Sequence, residues 1–301
     1  MDAQKNKALS RVVQCFLLFL VLRVIEELVI IPHVTNTMGL ISSLGGLVVL
    51  LIYIRFINKP LDEIGMIFSG HKVRKGIFLS FALNIVPAVL VYWMEYRRYA
   101  MLEGFTRVSI FYENVSRSYS QAGLRGFILW TLAGLIIGVV NAFFYELSFR
   151  GLLITLGSRS LHFSAINTIQ AALYTLWYII PVIRVLVYYS NVYSMRRILI
   201  LFAVTLVYEL ITAIKLGLLR YATGSVWVCI FDHILFAFIL DMIHIQYTQS
   251  RYERVAGYQL SYYVRILAYQ AVALLITVIY YFRKKKKIQE MQQEIQLEKH
   301  A

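Results

Sequence analysis

LRGFILWTLAGLIIGVVNAFFYELSFRG, residues 124–151, is the stretch that decides the reading of this chain. It begins as an apolar run of the length that crosses a hydrocarbon core, about twenty residues. It ends by placing a carboxylate, Glu146, and a guanidinium, Arg150, four residues apart. On a helix that spacing puts both on one face, with the acid N-terminal to the base, the better order for an ion pair. An ionisable residue at membrane depth is costly, faces a bundle interior or a wet cavity, and marks a functional site by default. The same spacing also suits a purely structural pair that clips two helices together.

The rest of the composition agrees with a membrane setting. The chain is 59% hydrophobic and 15% charged, against about 45–50% and about 25% for soluble domains, and its mean hydropathy is +0.66. The apolar residues fall in continuous runs rather than the alternation of barrel strands. The expected fold is therefore all-α, a polytopic membrane helix bundle with membrane lipid as a partner. The net charge of +14 does not point to nucleic acid, because Lys and Arg lie mostly between apolar runs, where they set orientation. The 22 tyrosines and 4 tryptophans read as interface belts and packing rather than base-stacking platforms. Cys15 and Cys229 sit inside apolar runs and read as small buried hydrophobes.

Spans are expected over residues 12–31, 38–57, 76–93, 124–149, 163–188, 198–219, 225–245 and 260–282, about eight in all. The first carries Arg23, Glu26 and Glu27; Arg23 and Glu27 are spaced to pair, which leaves Glu26 over and reads as a span end or a helix–helix contact. The basic start leads into a run too long for a signal h-region, so a retained first helix is expected. Residues 95–123 are too charged to span and read as an interfacial or amphipathic segment. In the tail, RKKKK at residues 283–287 is a stop-transfer run, and the short stripe Ile288, Met291 and Ile295 reads as a frayed extension of the last helix. The cationic residues favour both termini in the cytoplasm of a multi-pass cell-membrane protein. Three parts are expected: N-terminal transmembrane helices at 1–57, a membrane core at 58–245, and the last helix with its basic tail at 246–301.

Three places then share one geometry. Glu146 and Arg150, Tyr174 and Tyr178, and His233 and Ala237 are each one helical turn apart. Their order resembles the CAAX-protease and bacteriocin-processing family of intramembrane endopeptidases, the Abi family, with its EExxxR, FxxxH and HxxxN motifs. Here these read YELSFRG at 145–151, YTLWY at 174–178 and HILFA at 233–237, with the approach TGSVWVCIFD before His233 and PLDEIGM at 60–66 also similar to the family. The resemblance covers roughly residues 58–240 and implies a helical core around one polar pocket. It further implies that the first Glu and the FxxxH His activate a water while the HxxxN pair holds the oxyanion. At those positions this chain has Tyr145, Tyr178, His233 and Ala237; Glu146 and Arg150 remain as the accompanying pair.

Amide hydrolysis needs a general base in reach of the water. A phenol, with an ordinary pKa of about 10, is a poor base at neutral pH. Alanine offers no oxyanion donor, and losing one costs on the order of 10²–10³ in rate. The leading expectation is a family protein with a mostly degraded catalytic set, acting by binding: a scaffold, a regulator, or peptide immunity, with a membrane protein or peptide as ligand. The alternative is an active endopeptidase in which Glu146 and His233 do the chemistry, with Tyr145, Arg150, Tyr178, Asp232 and Ala237 lining the site. A metal held by Glu146 and His233 with Asp232, Asp241 or His244 lacks a recognised ligand spacing, so no metal and no cofactor is expected. A third class is a small ion-coupled transporter using Glu146, Glu209, Asp232 and Asp241, which lacks the repeat symmetry common in transporters.

Overall fold

The computed structural model describes residues 2–33, 39–101, 105–110, 119–191, 194–248 and 260–300. The apolar runs are helices: α1 (Asp2–Val24), α2 (Leu40–Phe56), α3 (Gly70–Ala100), α4 (Tyr119–Tyr145), α5 (Ile154–Gly157), α6 (Phe163–Tyr188), α7 (Met195–Thr223), α8 (Trp227–Met242) and α9 (Leu260–His300). Two π-helical segments continue them, Ile25–Ile30 after α1 and Glu146–Leu153 between α4 and α5. Such wider turns are rare and are often found at functional sites. Both of these carry the charged residues singled out above.

Among the described residues five helices are long and apolar enough to cross a membrane: Gly70–Ala100, Thr131–Gly157, Phe163–Tyr188, Met195–Thr223 and Tyr263–Lys286. Leu40–Phe56 and Trp227–Leu240 are shorter apolar helices. Side chains such as Phe78, 74% exposed, and Ile136, 64% exposed, cover the outside of the bundle. In water so much apolar surface would mark an interaction face; on helices of this length it is surface for lipid. The fold is a helical membrane bundle. Pro87 and Pro181 both lie within helices, α3 and α6, as neighbouring helices permit in a membrane bundle.

The departures come at the ends of spans. The helix expected to reach residue 245 stops at Met242, and Ile243–Thr248 is a strand, β2. It pairs antiparallel with β1 (Phe105–Ile110), Val108 opposite Ile245. IHIQYT is rich in β-branched and aromatic residues, which suit a pleated ladder. Of the segment expected to be interfacial, 95–123, α3 takes the start and β1 the middle; residues 102–104 and 111–118 lie outside the described set. The ladder also fixes parity. It requires the α3–α4 and α8–α9 connections to lie at one end of the bundle, so an even number of crossings separates them. Helix α4 with its continuation, α6, α7 and α8 satisfy this when the short α8 counts as a crossing.

The core gathers on the continuation of α4. Phe144 meets Phe19 edge-on with centroids 5.4 Å apart, and Phe149 meets Tyr174 at 5.1 Å, favourable aromatic geometry. Gly46 on α2 lets Phe144 in, since a Cβ there would lie 2.3 Å from the ring. This is the close helix approach that small residues permit.

Candidate functional site

All eight residues of the π-helical segment Glu146–Leu153 are buried. Removing two charges from water is unfavourable unless they are paired with good geometry. The Arg150 Nη1 group donates to Glu146 Oε1 at 3.3 Å. The Arg150 guanidinium also lies 4.1 Å from the centre of the Tyr174 ring, a cation–π contact strengthened by burial. Helix α8 packs against α4 and supplies the third member, with His233 Nδ1 2.8 Å from the same Glu146 oxygen. A carboxylate oxygen only accepts, so Nδ1 carries the proton and Nε2 of a neutral imidazole keeps its lone pair. His233 is the partly open member, its side chain 15% exposed where Glu146 and Arg150 are at 0%.

Phenols form the rest of the wall. The Tyr145 ring lies 5.7 Å from the His233 imidazole and 5.6 Å from the Tyr178 ring. The Tyr174 and Tyr178 hydroxyls are 3.4 Å apart. The structure thus brings Tyr145, Glu146, Arg150, Tyr178 and His233 together from three helical elements.

Asp232 is placed elsewhere. Asp232, next to His233 in sequence, turns to another face of α8, where Lys215 Nζ on α7 is 2.6 Å from Oδ2 and Asn84 Nδ2 on α3 donates to Oδ1 at 2.8 Å. The Tyr269 hydroxyl on α9 donates to Asn84 Oδ1 at 2.9 Å. Four helices meet in this polar knot, and its buried groups are satisfied by one another rather than aimed at Glu146. Ala237 lines a small cavity against Gly134, Leu135 and Gly138 of α4. Among the described residues no three His, Cys, Asp or Glu side chains lie together as a metal set; the side chains of Asp241 and His244 lie outside the described residues.

The N-terminal hairpin contributes more than its spacing suggests. Arg23 pairs with Glu27 at 3.0 Å as expected, and Arg184 on α6 holds the other Glu27 oxygen at 3.3 Å. Glu26 is not left over. Its two oxygens accept the backbone N–H groups of Ile41 and Ser42 at 3.0 and 2.9 Å, so it caps the N-terminus of α2 from another segment, where free donors and the helix dipole favour an anion. Arg23 lies 5.6 Å from the Trp177 ring centre. Gly39, at φ 80°, passes so close that a Cβ would lie 2.5 Å from Arg23 Nη1 and 3.3 Å from the Tyr145 hydroxyl. Glu209 on α7 is also buried, within electrostatic reach of Arg150, Arg23 and Glu146. The sequence signal for Arg23, Glu27 and Glu209 as neighbours of the site was their charge at membrane depth. Trp177 and Gly39 carried no such signal.

Compared with known families, residues 127–239 match the model described as Rce1-like, type II CAAX prenyl endopeptidase Rce1-like. The matched stretch holds Tyr145, Glu146, Arg150, Tyr178 and His233, and leaves out α1, α2, α3 and α9. Against curated proteins the chain finds no match.

Proposed function

We propose, for a chain whose residues 127–239 match the Rce1-like CAAX-protease family model, a role in binding rather than in peptide hydrolysis. The observation that supports this most is the state of Glu146. One of its oxygens already serves both Arg150 and His233, and the wall beside His233 is made of the phenols Tyr145 and Tyr178. A general base must reach the attacking water. The family's first Glu and FxxxH His positions offer only phenols here, and its Asn position is Ala237, which has no donor for an oxyanion. What the buried cluster retains is unmet hydrogen-bonding capacity: Glu146 Oε2 and the Trp177 Nε1–H are buried with no hydrogen-bond partner among the described residues. The ligand is a membrane-embedded peptide or the transmembrane segment of a partner protein, and the outcome is regulation, scaffolding or protection from a peptide. Both termini lie in the cytoplasm of the cell that carries the protein in its membrane.

The test is to offer the purified protein a panel of membrane-embedded and prenylated CAAX-type peptides. Binding without cleavage is expected, and Glu146- or His233-dependent cleavage overturns the reading. A second reading, an endopeptidase with a rearranged site, is favoured by one observation. The 2.8 Å Glu146–His233 contact is the arrangement in which a carboxylate orients an imidazole base. That reading requires Glu146→Ala and His233→Ala each to abolish processing at unchanged expression.

A further inference from the structure

A second cavity lies far along the bundle from Glu146, between the last turns of α3 and the first turns of α9. Its volume is about 260 Å³, and it is lined by Val91, Met94, Glu95, Arg98, Val264, Arg265 and their neighbours. On α3 the lining positions 91, 94, 95 and 98 recur at helical spacing, and on α9 so do 264, 265 and 268, so one stripe of each helix faces the space. The wall is mostly apolar, from Val91, Met94, Val264 and Ala268, and its rim is charged.

The rim charges are unequal. Glu95 Oε2 is 2.9 Å from Arg265 Nε, and both side chains are nearly buried, at 9% and 6% exposure. Arg265 is fixed further, its Nη1 donating to the Ile243 carbonyl at 3.3 Å and its guanidinium 5.1 Å from the Tyr92 ring centre. That pair neutralises itself. Arg98 is close enough to Glu95 to feel its charge, yet among the described residues it makes no ion pair within 4 Å, and it is exposed. Among the described residues the rim therefore carries one excess positive charge.

The cavity's depth matters equally. Both helices are membrane spans, and Arg98 and Arg265 lie near the ends of those spans. There long cationic side chains reach toward the headgroup layer. Deeper than Glu95 and Arg265 the lining residues are the apolar Val91 and Ala268. An apolar slot with a cationic rim at headgroup depth matches one class of molecule.

We propose that this cavity binds an anionic phospholipid, with an acyl chain along Val91, Met94, Val264 and Ala268 and the headgroup phosphate against Arg98. The Glu95–Arg265 pair is the fixed floor of the rim, and Arg98 is the residue that selects the charge. The site is independent of the cluster around Glu146 and stands whether or not that cluster cleaves peptides.

The full chain would be reconstituted in nanodiscs of equal parts phosphatidylglycerol and phosphatidylcholine, re-extracted in mild detergent, and its retained lipid read by native mass spectrometry. Preferential retention of phosphatidylglycerol is expected. Arg98→Gln should reduce that preference about fivefold, the share of one cation near an anionic surface. Arg97→Gln, one position round the helix and off the lining, should leave it unchanged. Ala268→Trp should fill the slot and lower retention of both lipids. Equal retention of the two lipids by the wild-type protein overturns the proposal, as does an unchanged preference in Arg98→Gln. Displacement of the lipid by free inorganic phosphate also overturns it, since the cation would then be a phosphate site and the apolar wall irrelevant.

Discussion

Glu146 and His233, 87 residues apart in sequence, meet at 2.8 Å through the carboxylate oxygen that also takes the Arg150 hydrogen bond. One oxygen atom thus ties the end of α4 to α8 and neutralises a guanidinium with no access to water. The three residues form a unit whose members depend unequally on one another.

Arg150→Ala leaves a buried carboxylate without its permanent cation, and Glu146→Ala leaves a buried guanidinium without its anion. Each should destabilise the protein by about 3–5 kcal/mol, the cost of breaking a buried pair. His233→Ala should cost clearly less, because Arg150 still neutralises Glu146. Unfolding of the detergent-solubilised variants by heat or denaturant gives the ranking. An equal loss in all three would contradict it.

The knot at Asp232 behaves differently because both charges sit in one satisfied network. Lys215→Met or Asp232→Leu alone should again cost about 3–5 kcal/mol, whereas the double variant should recover most of that loss, since buried pairs are often replaced by apolar residues at little net cost. A double-mutant cycle on unfolding free energies measures the coupling. Additive losses would mean that Lys215 and Asp232 do not depend on each other.

Gly39 is held at φ 80° against Arg23 and Tyr145. Gly39→Ala adds both a left-handed strain and a clash, and should cost more than about 1 kcal/mol. It should also shift the fluorescence of Trp177, which lies beside Arg23 and Tyr145. A neutral Gly39→Ala would place the N-terminal hairpin elsewhere.

The ladder between β1 and β2 sets Val108 opposite Ile245. Directly opposite residues in an antiparallel pair have Cβ atoms about 4.5–5.5 Å apart. The pair Val108→Cys with Ile245→Cys should cross-link under mild oxidant, and Val108→Cys with Phe282→Cys should not. Absence of the first cross-link would remove the argument that α8 is a full crossing.

The apolar runs made the bundle legible, because span length and continuity depend on composition alone. The Glu146–Arg150 and Arg23–Glu27 pairs were legible because helical spacing is local. Which face of α8 Asp232 takes was not, since two adjacent polar residues differ only by a rotation that neighbouring helices decide. Glu26 looked surplus for the same reason: its closest partners are backbone amides from another segment, and these leave no mark in a residue pattern. The strand after Met242 was hidden because Met242, Ile243 and Ile245 carry the apolar character of α8 onward with no Gly or Pro to mark its end. The family motifs, read at 145–151, 174–178 and 233–237, pointed to residues that the fold does assemble, Tyr145, Glu146, Arg150, Tyr178 and His233, while Ala237 lines a small cavity against α4.

Whether the Glu146–His233 cluster cuts peptides is the most direct question about this protein. Purified wild-type, Glu146→Ala and His233→Ala proteins would be incubated in proteoliposomes with prenylated CAAX-type and transmembrane peptides, and the products weighed by mass spectrometry. The account predicts that peptides remain whole in all three while binding to the wild type. A fragment formed by the wild type and missing from both variants would contradict it.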